Sequence, residues 1–172
     1  GLRACYDEGK RVAETLAFEY HREHQTDIRV ARIFNTYGPR MSENDGRVVS
    51  NLIVQALQNK FLTIYGDGTQ TRSFCYISDM AEGLIKLMNG NYIGPINLGN
   101  PDEYTILELA TIIHKITKSN AQLIYKELPK DDPKKRQPDI TKAKFHLDWQ
   151  PQFSLERGLE LTIQHFQDQL FE

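Results

Sequence analysis

Hydrophobic and polar positions along the chain fall into short blocks with two different periods. The first block has apolar side chains at helical spacing and predicts a helix over residues 4 to about 24. These side chains form a stripe that we expect to be buried: Val12, Ala13, Leu16, Ala17 and Tyr20. Residues 28–34 follow, and their run of β-branched residues predicts a strand. Because this strand follows a helix and carries few polar side chains, we expect it to be buried in a parallel sheet.

The same alternation continues along the rest of the chain. It predicts helices over residues 47–59, 79–88, 105–117, 140–147 and 154–170, and strands over residues 62–65, 72–77, 96–99 and 121–125. We expect Asp79, with Glu82, and Ser154 to cap their helices, and Thr105 with Glu108 to form a capping box. Because helices and strands alternate, the predicted class is α/β.

Composition excludes several classes of protein. The 172 residues are enough for a sizeable core, and a net charge of −2 argues against binding nucleic acid through its phosphates. No apolar run approaches the ~20 residues that span a bilayer. The two cysteines fit neither a disulfide framework nor a metal motif. His21 and His24 share a helix face near Glu23, but a solvated helix end explains them better than a metal site, so we expect no metal.

Tyr6 and Lys10 lie four residues apart on the first predicted helix and therefore project from one face. A lysine ammonium beside a tyrosine stabilises the phenolate, and a phenolate is a general base for a sugar or alcohol hydroxyl. The same spacing also arises by chance on amphipathic helices, so the pair alone leaves both interpretations open.

A second set of residues suits an anionic ligand. Arg47, Arg72 and Arg136 lie at element starts or in loops, where a guanidinium can clamp phosphate oxygens. Asn35 follows the first strand, and ligands of open α/β sheets bind beyond the carboxyl ends of strands. Tyr65 precedes a glycine turn that suits a planar base. Each residue also has a plain alternative: Arg72 as a solvated strand residue, Arg136 as part of an exposed charge run, Asn35 as a turn cap.

These residues stand within a set of motifs that occur in one order along the chain. The motifs are Tyr6-x-x-x-Lys10, Arg32-Ile-Phe-Asn35-Thr36-Tyr-Gly-Pro-Arg40, Gly46-Arg47-Val-Val, Tyr65-Gly-Asp-Gly-Thr-Gln-Thr-Arg72, Tyr76-Ile-Ser-Asp79 and Asn97-Leu-Gly-Asn. Two further stretches are Asn44-Asp-Gly-Arg47-Val-Val-Ser-Asn51 and Asp131-Asp-Pro-x-x-Arg136-x-Pro-Asp-Ile140. Together they resemble the extended short-chain dehydrogenase/reductase family, and within it most closely the UDP-glucuronic acid decarboxylases.

The resemblance implies the carboxyl-terminal part of an NAD-binding Rossmann-like fold plus a small α/β substrate-binding domain. Residues 1–60 would end the NAD-binding domain. Residues 61–172 would mainly bind the nucleotide sugar, with some segments returning to the Rossmann sheet. It also implies a homodimer formed through the helix that bears Tyr6 and its neighbouring helix, since residues 4–24 and 47–59 both carry wide apolar faces.

The resemblance also assigns roles toward the cofactor, which it identifies as NAD. Tyr6 would be the catalytic base. Lys10 would be its partner and would bond the nicotinamide ribose. Thr36 and Arg47 would lie where cofactor and substrate meet.

The implied substrate is a UDP-sugar. Asn35 and Arg47 would lie at its junction with the cofactor, Arg72 and Arg136 would hold the pyrophosphate, and Tyr65 would flank the uracil. Oxidation at the sugar C4 would give a β-keto acid, which loses CO2, and reduction of the ketone would then give UDP-xylose without a metal.

Parts of the family pattern are not in this sequence: the glycine-rich phosphate loop, the Ser/Thr of the catalytic set and the acidic residue that binds the adenosine ribose. We therefore interpret the chain as a piece that is inactive alone and holds NAD weakly. Two alternatives stay open, a nucleotide-sugar 4,6-dehydratase or 4-epimerase and a non-catalytic dimerisation or binding module. The resemblance implies a cytoplasmic protein from a bacterium, or a Golgi enzyme from an animal, anchored by a segment outside this sequence.

Overall fold

Helices and strands alternate along the chain, which confirms the α/β class. The computed structural model describes residues 4–128 and 136–171. The helices are α1 (Ala4–His24), α2 (Val48–Leu57), α3 (Ile77–Asn89), α4 (Ile106–Thr117), α5 (Thr141–Leu147) and α6 (Leu155–Phe171). The strands are β1 (Val30–Ile33), β2 (Thr36–Tyr37), β3 (Leu62–Tyr65), β4 (Thr71–Ser73), β5 (Cys75–Tyr76), β6 (Pro95–Leu98), β7 (Glu103–Thr105) and β8 (Leu123–Lys126).

The strands pair mainly in parallel. β1 pairs with β6, β2 with β5 and β3 with β8, all in parallel, whereas β4 and β7 are antiparallel. Ile33 lies opposite Leu98, so β1 and β6 end at the same edge. The residues that follow these two strands, including Asn35, therefore share that edge.

Buried side chains form two cores. The first core lies among α2, β3, α4 and α6 and contains Leu52, Ile64, Leu109 and Phe166 among its buried residues. The second core lies between the β1–β6 pair and the helices α3 and α5, with Trp149 as its largest member.

The structure confirms two of the three predicted helix caps. Thr105 and Glu108 form the capping box of α4, with the Thr105 Oγ1 accepting from the Glu108 N–H at 3.1 Å. The Ser154 Oγ accepts from the Arg157 N–H at 3.3 Å before α6 begins.

The predicted cap at Asp79 is wrong. Helix α3 begins at Ile77, so Asp79 lies inside its first turn, and its side chain is buried. Its Oδ2 accepts the backbone N–H groups of Gln152 and Phe153 at 3.1 and 3.0 Å. The Asp79 carboxylate therefore accepts hydrogen bonds from a segment more than 70 residues away in sequence and not from the first turn of its own helix. Sequence spacing alone does not show that this segment lies beside Asp79 in the fold.

The predicted strand over residues 72–77 is two strands. The break falls at Phe74, whose side chain enters the first core. β4 pairs with β7 and β5 pairs with β2, so the two halves of one continuous run of residues belong to two different sheets. The short strands β2 and β7 were not predicted.

The predicted burial of α1 and β1 is also wrong. No residue of α1 is buried, and Val12, Leu16 and Tyr20 are each more than half exposed. Ile33 in β1 is 57% exposed. The physical reason is the absence of a covering layer, since no element within residues 4–128 and 136–171 covers the outer side of α1 or pairs with the second edge of β1. In the described part of the chain, no helix has the combination of length and hydropathy that crossing a membrane requires.

Candidate active site

Tyr6 and Lys10 lie in the first turns of α1 and face the same way. The Lys10 Nζ lies 5.4 Å from the centre of the Tyr6 ring, and the Tyr6 side chain is 65% exposed. An ammonium at this distance interacts favourably with the electron-rich face of an aromatic ring. The spacing of four residues thus produces a cation beside a phenol that solvent and ligands can reach.

The contact between Glu14 and Arg32 indicates that the Tyr6–Lys10 pair lies at the same end of the fold as Asn35. The Glu14 carboxylate joins α1 to β1 through two hydrogen bonds from Arg32, at 2.9 and 2.6 Å. Arg32 follows the end of α1 by eight residues, yet it contacts Glu14, which lies ten residues before that end. We infer that the chain turns back after α1 and that β1 runs opposite to the helix. Tyr6 lies eight residues back along the helix, about 12 Å. Asn35 lies three residues further along the strand direction, about 10 Å.

Asn35 lies in the link between β1 and β2, and Thr36 begins β2. The Asn35 carbonyl accepts from the Cys75 N–H at 2.8 Å, and its side chain is exposed. The Thr36 hydroxyl donates to the Phe34 carbonyl at 2.9 Å. The Asn35 amide is therefore free to point outward from the edge where β1 ends, as the position after a parallel strand predicts.

Arg47 immediately precedes α2, and its side chain lies beside Thr36. Its Nη1 lies 3.5 Å from the Thr36 carbonyl oxygen, and its Nε lies 3.6 Å from an Asp45 carboxylate oxygen. The Asp45 carboxylate also accepts from the Arg47 N–H at 2.9 Å and from the Ser50 hydroxyl. Asp45 thus fixes the entry into α2 and brings Arg47 beside Thr36.

Arg72 and Arg136 lie on neighbouring segments. Arg72 is 8% exposed in β4, opposite Tyr104 of β7, and its Nη1 donates to the Thr71 carbonyl at 2.7 Å. Arg136 is partly exposed, and its carbonyl accepts from the Ser73 hydroxyl at 3.1 Å. The burial of Arg72 contradicts its interpretation as a solvated strand residue. The Asp131-Asp132-Pro133 part of the adjoining motif lies outside the described residues.

Tyr65 ends β3 and leads into the glycine turn that the sequence predicts. Gly66 and Gly68 have φ values of +66° and +77°, a region that favours glycine. Between them, the Asp67 carboxylate accepts from the N–H and hydroxyl of Thr69, and these hydrogen bonds lower the pKa of Asp67. The Tyr65 side chain is 44% exposed, and the Tyr65 carbonyl accepts from the Gln70 amide across the turn at 2.8 Å.

The segment that follows Arg136 crosses the edge where β1 and β6 end. The Asn97 amide donates to the Asp139 carbonyl at 2.9 Å. At Gly99, an added Cβ would lie 2.7 Å from the Phe34 Cβ and 3.0 Å from the Pro138 Cγ, so only glycine fits there. This packing links the Arg136 segment to the edge that bears Asn35.

The structure therefore assembles the predicted residues in two groups. Tyr6, Lys10, Asn35, Thr36 and Arg47 lie toward the carboxyl end of β1. A second group follows β3 and β4: Tyr65, Arg72 and Arg136. Among the described residues, no group of three or more His, Cys, Asp or Glu side chains could hold a metal ion.

Sequence reasoning missed the residues that hold these groups in place, namely Glu14, Ser73 and Asn97. Asn97 and Arg32, the partner of Glu14, belong to the motifs given above, but the sequence predicted no role for either residue. Glu14 lies four residues after Lys10, which was a signal that a third member of the same helix face mattered.

Several curated proteins are similar to almost the whole chain. UDP-glucuronic acid decarboxylase 6 of Arabidopsis thaliana is 57% identical over 166 residues, which are 96% of this chain and 48% of that protein. UDP-glucuronic acid decarboxylase 2 of the same plant is 55% identical over 99% of this chain and 38% of its own length. UDP-glucuronic acid decarboxylase 1 of Danio rerio is 55% identical over 99% and 41%. The chain spans about two fifths to one half of the length of these relatives.

Two of the solved structures that share this fold contain a nucleotide sugar. UDP-glucose 4-epimerase of Thermotoga maritima, solved with UDP-glucose, superposes with a TM-score of 0.90 at 30% identity over 93% of this chain and 52% of that one. UDP-glucuronic acid 4-epimerase of Bacillus cereus, solved with UDP-glucuronic acid and NAD, has a TM-score of 0.84 at 34% identity over 91% and 50%. The family model described as NAD dependent epimerase/dehydratase family matches residues 1–99, and the chain belongs to that family.

Proposed function

We propose that this chain supplies the tyrosine–lysine pair and the sugar-binding part of a UDP-glucuronate decarboxylase that works with NAD. The observation that carries the proposal is the identity of 52–57% to UDP-glucuronic acid decarboxylases over nearly the whole chain. In this proposal residues 1–60 end the NAD-binding domain and residues 61–172 mainly bind the nucleotide sugar.

The Tyr6–Lys10 pair is the acid–base group of the proposed reaction. The Tyr6 phenolate accepts the proton of the sugar C4 hydroxyl, and the Lys10 ammonium stabilises that phenolate. Bound NAD supplies the reversible hydride acceptor for C4. Tyr6 later returns the proton to the same oxygen when the ketone is reduced.

Loss of CO2 needs no further protein group in this scheme. The C4 ketone stands β to the C6 carboxylate, so the C5–C6 bond breaks and its electron pair is delocalised onto the ketone oxygen as an enolate. A proton taken up at C5 from water restores the ketone before reduction, so each turnover consumes one proton and releases one CO2. The protein has to hold the ring and its C4 oxygen against Tyr6 throughout, which is the task of the arginines and Asn35.

Three arginines suit the anionic parts of the substrate. Arg72 and Arg136 lie on segments joined by the hydrogen bond from Ser73, and their guanidinium groups would clamp the diphosphate. Arg47 and Asn35 flank Thr36 and would contact the sugar near the cofactor. Tyr65, at the end of β3, would lie against the uracil.

The residues of this chain fit one end of NAD. A phenol and an ammonium at the first turns of α1 suit the hydroxyls of the nicotinamide ribose, and Thr36, at the start of β2, would lie near the same part of NAD. The sequence contains no Gly-x-Gly-x-x-Gly loop for the pyrophosphate. We therefore expect tight NAD binding only in a longer protein that includes such a loop.

The products formed from UDP-glucuronate test the proposed function. The full-length protein that contains this chain is incubated with UDP-glucuronate and NAD, and CO2 and the sugar product are measured. We expect equal amounts of CO2 and UDP-xylose. The second candidate function is 4-epimerisation, favoured by the likeness to the Bacillus cereus epimerase; it would leave the carboxylate in place and release no CO2. UDP-glucose and dTDP-glucose in parallel reactions test for a 4,6-dehydratase.

We also infer that α1 forms a homodimer contact, because its apolar side chains Val12, Leu16 and Tyr20 are exposed. The apolar face of α2 is buried in the first core against α4 and α6, so the proposal rests on α1 rather than on both helices. A Leu16→Glu change should shift the full-length protein from dimer to monomer in sedimentation. Phe171→Glu, at an exposed apolar position of α6, should leave the dimer intact. A Leu16→Glu protein that stays dimeric would contradict this assignment.

A further inference from the structure

A single ion pair ties α1 to the sheet. The Glu14 carboxylate accepts two hydrogen bonds from the Arg32 guanidinium, from Nε at 2.9 Å and from Nη2 at 2.6 Å. The Glu14 side chain is 25% exposed and that of Arg32 is 53% exposed. In the part of the chain that the structure describes, no other side chain of α1 hydrogen-bonds to a strand. Since α1 has no buried residue, we expect this contact to contribute more to holding α1 against the sheet than an ion pair contributes in a helix with a buried face.

The ion pair also uses the outer face of the β1–β6 sheet. Ala31 packs into the second core, on the face that α3 and α5 cover. Arg32 is the next residue along β1 and therefore points to the opposite face. The guanidinium meets α1 on that face, so the sheet lies between α1 and the second core.

Glu14 stands on the same side of α1 as Tyr6 and Lys10. The three residues are four apart, so their side chains follow one another along the helix within about 80° of rotation. A two-pronged contact between a carboxylate and a guanidinium has a fixed planar geometry. It therefore restrains both the rotation of α1 about its axis and its position along β1.

We propose that Glu14 and Arg32 are positioning residues that aim the Tyr6–Lys10 pair at the edge where β1 ends. This inference rests on the proposed function. Neither residue touches the reacting atoms in this scheme, because Arg32 is occupied by Glu14 on the face of the sheet and lies about 10 Å along the strand direction from Asn35.

The electrostatic state of the pair agrees with this role. The hydrogen bond from Arg32 lowers the pKa of Glu14 against the opposing effect of partial burial, and the positive charge of Arg32 adds to the lowering. Glu14 is therefore ionised at neutral pH. Proton transfer is sensitive to position, because a misplacement of about 1 Å can cost about 100-fold in rate.

The test compares two glutamates of α1 in the full-length protein. Glu14→Gln removes the charge that holds Arg32. Glu19→Gln is the matched control, because Glu19 pairs with Arg22 within the same helix and makes no bond to β1. We expect Glu14→Gln to lower kcat for UDP-xylose formation by about tenfold or more, with KM for UDP-glucuronate within about twofold. Glu19→Gln should leave both constants close to those of the wild type.

A double-mutant cycle separates positioning from general stabilisation. If the contact acts as a unit, Arg32→Gln combined with Glu14→Gln should lower kcat no further than either change alone. Additive losses, or a Glu14→Gln protein with the kcat of Glu19→Gln, would overturn the proposal. So would a lowered melting temperature with normal kcat for each folded molecule.

A second variant keeps the test decisive if Glu14→Gln does not fold. Glu14→Asp retains the charge but draws the carboxylate back by one methylene. A several-fold lower kcat at unchanged KM supports positioning, and a wild-type kcat overturns it. Tyr6→Phe distinguishes a failure of the proposed function from a failure of the positioning role alone. If wild type makes no UDP-xylose, or Tyr6→Phe keeps turnover, the proposed function fails together with this inference. If Tyr6→Phe is inactive and Glu14→Gln is normal, only the inference fails.

Discussion

At the scale of single residues, the site depends on hydrogen bonds between residues that are far apart in the sequence. Ser73 is the clearest case, because its buried hydroxyl donates to the carbonyl of Arg136, 63 residues away. A partly buried carbonyl that loses its donor is destabilised by up to about 1–3 kcal/mol. The Arg136 segment can avoid that cost by moving away from β4.

We therefore predict that Ser73→Ala weakens UDP-sugar binding. KM for UDP-glucuronate should rise several-fold while kcat changes less, because the Tyr6–Lys10 pair lies on another element. Steady-state kinetics of the full-length protein measure both constants. The matched control is Ser119→Ala, which removes another buried serine hydroxyl, bonded to Asn59 at 3.2 Å at the opposite end of β3. An equal rise in KM for both variants would show that Ser73 has no special relation to Arg136.

Local spacing predicted only part of this residue-scale picture. That Tyr6 and Lys10 face one way follows from helical geometry alone, and the structure has them at 5.4 Å from ammonium to ring. The burial of Arg72 and the contacts of Glu14 and Ser73 are long-range. Each depends on which strands pair, and no periodicity in the sequence encodes that choice.

At the scale of elements, α3 is joined to the segment before α6 by Asp79. Its carboxylate accepts two backbone N–H groups, from Gln152 and Phe153, and its carbonyl accepts from the Trp149 indole N–H at 2.9 Å. The contact connects the second core, which contains Trp149, with the beginning of a helix of the first core.

We predict that Asp79→Ala lowers the free energy of unfolding by about 3 kcal/mol, since two partly buried N–H groups lose their acceptor at about 1–3 kcal/mol each. Urea unfolding of the full-length protein measures the change. Asp168→Ala, which removes an exposed carboxylate on α6 that bonds Gln164, should change stability by less than about 0.5 kcal/mol. Equal stabilities of the two variants would contradict the structural role of Asp79.

Element boundaries were predicted best where the signals are local. The bounds of α1 and β3 agree with the prediction, and the capping box of α4 is present. The run over residues 72–77 was predicted as one strand because its pattern is continuous. Its division at Phe74 is a choice of partners, β7 for one half and β2 for the other.

At the scale of the whole molecule, burial was predicted least well. The apolar stripe of α1 has the period of a buried face, yet it is exposed. A hydrophobic pattern indicates that a face requires cover, but it does not identify the segment or subunit that supplies the cover. The two cores, by contrast, are built from the apolar faces of elements that lie within the described residues.

We predict that residues 1–172 alone bind NAD without saturation up to millimolar concentration and release no CO2 from UDP-glucuronate. The reason is that the sequence has no Gly-x-Gly-x-x-Gly loop and that no element among residues 4–128 and 136–171 covers the outer side of α1. Calorimetric titration with NAD and a CO2 assay measure the two outcomes. Tight NAD binding or turnover by these residues alone would contradict the division of the site.

The most direct measurement compares two tyrosines of α1 in the full-length protein supplied with UDP-glucuronate and NAD. Tyr6 and Tyr20 are both more than half exposed on that helix, and only Tyr6 is assigned as the base. Wild type and Tyr20→Phe should convert UDP-glucuronate to UDP-xylose with one CO2 for each product molecule. Tyr6→Phe should lower kcat by about 100-fold or more while UDP affinity stays within about twofold. Turnover that survives in Tyr6→Phe, or a wild-type product that retains its carboxylate, would contradict the account.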